Sequence, residues 1–158
     1  MKGNAKLIES LNEILTMELS GINQYFIHSK LCDSWGYERL AAKVREESIS
    51  EMKHAEQVID RILHLEGLPN LQKIEKIKIG EKVSDQLKAD LDLEIGAISR
   101  FNKAIALAVE VGDNGSREML ETMLVSEEEH LQWLESQLEL IKQVGEANYL
   151  TQQIHKPE

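Results

Sequence analysis

The chain has 158 residues, with 28 Asp and Glu against 18 Lys and Arg and a net charge of −10. That balance excludes a nucleic-acid-binding module, which needs clustered Lys and Arg against phosphate, and suits a surface that draws in cations. The one cysteine, Cys32, excludes an internal disulfide and any Cys-x-x-Cys metal ribbon, and reads as a packed thiol.

Two prolines and 4% aromatics, among abundant Leu, Ile, Glu, Lys and Ala, favour helix over sheet. The N-terminal stretch carries Lys2, Lys6 and Glu9 and no long apolar run. Neither a secretory signal nor a membrane span is expected, and the cytoplasm is the default location. Apolar residues at 7, 8, 11, 14, 15, 19 and 22 recur at helical spacing and predict a first helix over about 5–35, broken at Gly36. A second helix is predicted over about 38–66, through Leu40, Val44, Ile49, Met52, Val58, Ile62 and Leu65, ending at Gly67-Leu68-Pro69-Asn70. Residues of about 67–83 are irregular and too many for a tight hairpin. They read as a crossover along the bundle that makes the second and third helices parallel. A third helix over about 84–111 opens at Ser84 as its cap and breaks at Gly112. A fourth covers about 116–144, and a short fifth about 146–153 follows Gly145. The expectation is all-α: one domain over 1–158, an up-down four-helix bundle with a long crossover between helices two and three and a short C-terminal helix.

One pattern occurs twice, Glu51-Met52-Lys53-His54 and Glu127-Glu128-Glu129-His130. Residues three apart on a helix share a face, so each carboxylate and imidazole can reach one point. A shift of 76 residues carries Glu18 onto Glu94, Glu51 onto Glu127, His54 onto His130 and Gly36 onto Gly112. A lone Glu-x-x-His is a common solvated ion pair; a repeat with matched upstream Glu is not. Glu18 stands 18 residues before Gly36 and His54 stands 18 after it, and Gly112 places Glu94 and His130 in the same way. All six therefore fall at one height, midway along the bundle. Four Glu and two His so arranged are the ligand set of a carboxylate-bridged di-iron site, which the general description of ferritin-like bundles already contains. Glu18 is assigned as terminal on one metal and Glu94 on the other, Glu51 and Glu127 to the bridge, and His54 and His130 to one metal each. Oxygen and imidazole donors suit iron, manganese or zinc, and iron is preferred for its reaction with O₂ or peroxide.

Tyr25 lies two turns after Glu18 on the same face, where its hydroxyl can bond a carboxylate or donate an electron, or simply pack. Ser50 and Ser126, just before the two bridging Glu, are candidate partners for imidazole N–H groups. Met52 breaks the internal symmetry and points about 100° away from Glu51. With Leu19, Ile22, Asn23 and Phe26, it forms an outer patch on the first hairpin. That patch is either a plain subunit interface or an interface holding a haem with Met52 as axial thioether.

These residues resemble the bacterioferritin family over essentially the whole chain, with Glu51, Met52 and His54 the most diagnostic. The resemblance implies two iron atoms per subunit at the six ligands, and a haem b held by Met52 from each of two subunits. It implies a hollow 24-subunit cage built from two-fold dimers. It implies oxidation of Fe²⁺ by O₂ or H₂O₂, storage of Fe³⁺ mineral and release by reduction through the haem. A small iron–sulfur ferredoxin is the implied electron donor, docking near Leu68 and Glu81. Some relatives line an inner-surface iron site with His at position 46 and Asp at position 50, and position 126 is often Asp. Here these are Glu46, Ser50 and Ser126, so the donors of that inner site are not repeated in this chain. A soluble di-iron oxidase or peroxidase of rubrerythrin type is the alternative enzyme, a manganese catalase a more distant one. A bundle that only mediates protein contacts is the alternative of another class. His28, His64 and His155 have no partner at ligand spacing.

Overall fold

Four long amphipathic segments cannot bury their apolar stripes alone, and they bury them against one another. The computed structural model describes residues 1–156; the last two residues of the expected 1–158 domain lie outside the described residues. The helices are α1 (Ala5–Ser34), α2 (Glu38–His64), α3 (Val83–Glu110), α4 (Asn114–Val144) and the short α5 (Glu146–Thr151). The four long ones match expectation to within two residues at each end.

Each boundary has a local cause. Asn4 caps α1, its side chain accepting the amides of Lys6 and Leu7 at 2.9 and 3.1 Å. Gly36 and Gly112 sit at φ 88° and 74°, and the next amide in each case reaches back five residues to close the helix. The end of α2 departs from the reading of Gly67 as its breaker. Glu66 takes the left-handed position at φ 61°, and Gly67 is glycine for another reason: a Cβ there would stand 2.8 Å from Ile8 Cγ2. Ser84 is not the α3 cap either. It lies within the first turn, and its amide and hydroxyl both donate to the Glu146 carboxylate, at 3.2 and 3.0 Å. Thus α5 covers the start of α3, and the turn after it binds the start of α2, where the Arg39 amide donates to the Gln153 carbonyl at 3.0 Å. Asp113 caps α4, which starts two residues before the expected 116. It accepts the Ser116 amide at 3.0 Å and the Arg61 guanidinium at 2.7 Å. Burial would raise its pKa, but the Ser116 bonds and Arg61 outweigh that and lower it.

The crossover explains the topology. It lies along α1, whose polar side chains at four-residue spacing hold its backbone. The Leu68 carbonyl and Asn70 amide bond Asn12, the Glu75 amide bonds Ser20, the Lys78 amide bonds Gln24 and the Gly80 amide bonds His28. From Asn12 to His28 is about 24 Å of helix, so the strap returns the chain along much of the bundle. Hence α2 and α3 run parallel, and α1 pairs antiparallel with α3, as α2 does with α4.

Two apolar plugs fill the bundle. One holds Leu7, Leu11, Ile14, Val58, Ile62, Phe101 and Leu120; the other holds Tyr25, Leu40, Val44, Val83, Leu87 and Leu134. Each fully buried large side chain contributes about 1.5–3 kcal/mol. Together they offset a polar layer between them that costs several kcal/mol per unpaired ion.

Candidate metal centre

That layer contains the six predicted side chains. All are buried: Glu18, Glu94 and Glu127 at 1% exposure, Glu51 at 4%, His130 at 5% and His54 at 8%. Each helix of the bundle supplies at least one, as helical spacing and the matched turns require. Donor atoms of Glu18, Glu51, His54 and Glu127 all lie within 4.8 Å of one another, and so do those of Glu51, Glu94 and His130. Glu51 belongs to both groups. Gly21 leaves it room, since a Cβ there would stand 3.4 Å from Glu51 Cγ.

Both imidazoles turn Nδ1 inward. His54 Nδ1 is 3.0 Å from Glu127 Oε1 and 3.5 Å from Glu18 Oε2; His130 Nδ1 is 2.9 Å from Glu94 Oε1. The Tyr25 hydroxyl donates to Glu94 Oε1, the carboxylate contact expected of it. The carboxylates still lack donors. Neither oxygen of Glu18, nor Oε2 of Glu94, has any hydrogen-bond partner. Buried acceptors without donors are costly, and a pair of divalent cations is what would satisfy this donor set.

The electrostatics agree. Burial pushes the Glu94 carboxyl up to about 8, helped by the neighbouring Glu127 and opposed by His130. Burial likewise pushes Glu18 up to about 6 against the pull of His54, and raises Glu127 with help from the Glu18 charge. Burial would lower His54, but the bond to Glu127 and the Glu18 carboxylate beside it outweigh that and raise it to about 10. His130 is raised too, against its burial, by Glu94. The imidazoles pull their carboxylate partners down in return, but the net shift of each is upward. Crowding and burial of four carboxyls outweigh what two rings give back. In the metal-free protein, protons on His54 and Glu94 therefore stand in for missing cations.

The outer patch divides. Met52 and Phe26 are half exposed and Asn23 is exposed, whereas Leu19 and Ile22 lean partly into the core. Among the described residues neither Ser50 nor Ser126 bonds an imidazole. Each precedes its Glu by one residue and so points about 100° away. The His130 ring is instead fixed by Trp133, stacked 6.1 Å away, and by Tyr25, edge-on at 5.1 Å. Glu47 is mostly buried, bonds Lys43 at 2.9 Å and lies 3.6 Å from His130 Nδ1. Its signal was available: it precedes His54 by two turns, on the same face. Cys32 is a packed thiol, 3.2 Å from Gln86 Oε1 and pushed up to about 12, chiefly by burial. No described helix is long and apolar enough to cross a membrane.

Comparison with known proteins gives the same picture. The ferritin-like domain family matches residues 8–144. The bacterioferritin of Mycobacterium bovis is 45% identical over 157 residues, 99% of each chain. Those of Brucella melitensis and Streptomyces coelicolor are each 44% identical, over 94% and 96% of this chain and 92% and 90% of theirs.

Proposed function

The chain belongs to the bacterioferritin family of ferritin-like proteins, and from that membership we propose that it stores and detoxifies iron. Fe²⁺ is the substrate of a ferroxidase reaction at the buried centre, and the Fe³⁺ product is kept as mineral inside a 24-subunit cage. The observation that carries this reading is the convergence of six buried donors from four helices, three of whose carboxylate oxygens have no hydrogen-bond donor.

Glu18 and His54 would hold one iron, Glu94 and His130 the other, with Glu51 and Glu127 between them. When bound, the pair supplies one electron from each iron to O₂ or H₂O₂. The chain's own groups prepare that event. The Tyr25 hydroxyl fixes one oxygen of Glu94, Trp133 holds the His130 ring, and the apolar plugs keep bulk water from both ends. The protons on Glu94 and His54 leave as metal arrives. Fe²⁺ added in air at two per subunit should be oxidised rapidly, and sizing should give a particle of about two dozen 18.0 kDa chains. A monomer or dimer would leave storage without a container.

For the haem, the fit rests on Met52, 48% exposed, and Phe26, 49% exposed, both outward-facing residues of the first hairpin. An exposed thioether in an apolar setting suits haem b shared with a second copy across a two-fold axis, one Met52 from each. The haem would carry electrons inward for release. Met52→Leu should abolish haem absorbance and leave Fe²⁺ oxidation within about twofold of wild type, since Met52 faces away from the centre. Haem retained in that variant would remove Met52 from the role. A small iron–sulfur ferredoxin would dock at the crossover, where Leu68 is 84% exposed and Glu81 also faces out. The same reading assigns the protein to the cytoplasm.

A further inference from the structure

Asp90 lies on α3 one turn before Glu94 and is 2% exposed. Its Oδ1 accepts two hydrogen bonds, from Gln24 Nε2 and from His28 Nδ1, each 2.8 Å. Those two α1 residues flank Tyr25, whose hydroxyl reaches Glu94. Both are double-ended. Gln24 Oε1 accepts the Lys78 amide at 3.1 Å, and His28 Nε2 accepts the Gly80 amide at 3.1 Å. Because Nε2 accepts, the His28 proton sits on Nδ1, the tautomer the Asp90 bond needs. One buried carboxylate thus joins α1, α3 and the crossover in a single knot, one helical turn from the Tyr25–Glu94 contact.

Every member of the network is satisfied at both ends, and a fully satisfied buried polar network fixes the geometry of the elements it joins. We infer that Asp90 is a positioning residue for the α3 half of the metal centre. Through Gln24 and His28 it fixes the register of α1 on α3, and with it the place of Glu94 beneath the Tyr25 hydroxyl. This rests on the ferroxidase reading above and deepens it. The two halves of the centre then differ in what supports them. Glu18 and His54 sit on a hairpin closed independently of Asp90, by Ser29 Oγ to the Ala41 carbonyl at 2.8 Å and Ser48 Oγ to the Ile22 carbonyl at 2.9 Å. Glu94 depends on the knot.

The test is a Co²⁺ titration of metal-free protein, followed by the visible absorbance of the bound ion, with hydrogen exchange of the crossover amides as a second readout. Wild type should take two Co²⁺ per subunit. Asp90→Ala should leave one binding step unchanged and weaken the other by about tenfold, the lower range for losing an outer partner of a metal ligand. Asp90→Asn keeps an acceptor oxygen, and His28→Gln keeps both ends of the bridge as Gln24 does, so both should retain the wild-type isotherm. His28→Leu should weaken the same single step, in the same direction as Asp90→Ala. Exchange should quicken at Lys78 and Gly80 in Asp90→Ala and at Gly80 alone in His28→Leu. An unchanged Asp90→Ala isotherm overturns the inference, and so does equal weakening of both steps, which would mean general loosening. Should Asp90→Ala fail to fold, a His28→Leu isotherm identical to wild type overturns it equally. A wild-type protein that took up no Co²⁺ pair would instead sink the centre itself, and this inference with it.

Discussion

Replacing His130 with alanine is expected to cut the initial rate of Fe²⁺ oxidation by about a hundredfold. Loss of a mere outer partner of a metal ligand costs about 10–100-fold in affinity or activity, and a direct donor belongs at the top of that range. His130 brings the one nitrogen to the group that contains Glu51 and Glu94, with its Nδ1 2.9 Å from Glu94 Oε1. Without the ring, Glu94 keeps only the Tyr25 hydroxyl, and the face of Trp133 that stacks on the ring loses its support. The helix itself should survive, because alanine is the best helix former and the plugs on either side are untouched. Stopped-flow oxidation at two Fe²⁺ per subunit, with sizing to confirm assembly, reads the result. An unchanged initial rate would move the chemistry away from these six side chains.

Raising the pH should destabilise the metal-free protein and leave the Zn²⁺-loaded protein largely unaffected. The sign follows from the direction of the shifts. Glu94 moves from 4.5 to about 8 and His54 from 6.5 to about 10, so the folded state holds more protons than the unfolded chain across that span. Stability from such groups is complete below their unfolded values and is lost as pH rises through the folded ones. The denaturation midpoint of metal-free protein should therefore fall between pH 6 and pH 10, by on the order of a few kcal/mol of stability. Zn²⁺ replaces those protons with fixed charge, so it should flatten the profile and release protons as it binds. Calorimetric melts at several pH values, with and without Zn²⁺, measure both effects. A metal-free protein that grew more stable over that range would contradict the protonation assigned to the layer.

The donor set was legible in the sequence because it depends on distances within single helices. Glu51 and His54 share a face wherever that helix goes, and so do Glu127 and His130. Gly36 and Gly112 then fix the height of Glu18 and Glu94, since a hairpin with a tight turn has only one register. Helix limits came from the same local rules, and they slipped where a partner from far along the chain took over. Ser84 looks like a cap because nothing local announces that Glu146, sixty-two residues later, covers that end. Gly67 looks like the helix breaker because glycine ordinarily takes positive φ. Its requirement is the close approach of Ile8, and Glu66 takes the positive φ instead.

The helices, the level of the six donors and the outward turn of Met52 all follow from 3.6 residues per turn and so can be read from the order of residues. Their surroundings come from long-range packing: Trp133 and Glu47 against His130, Glu146 over α3, and the Gln24–Asp90–His28 knot under the crossover. Polar residues recur on α1 at 12, 16, 20, 24 and 28, yet that recurrence does not name a partner. That partner is an irregular strand with no periodicity of its own, whose buried amides had to find acceptors somewhere. Which acceptors they found depends on how the crossover lies against α1, a contact between segments some fifty residues apart that no local pattern encodes.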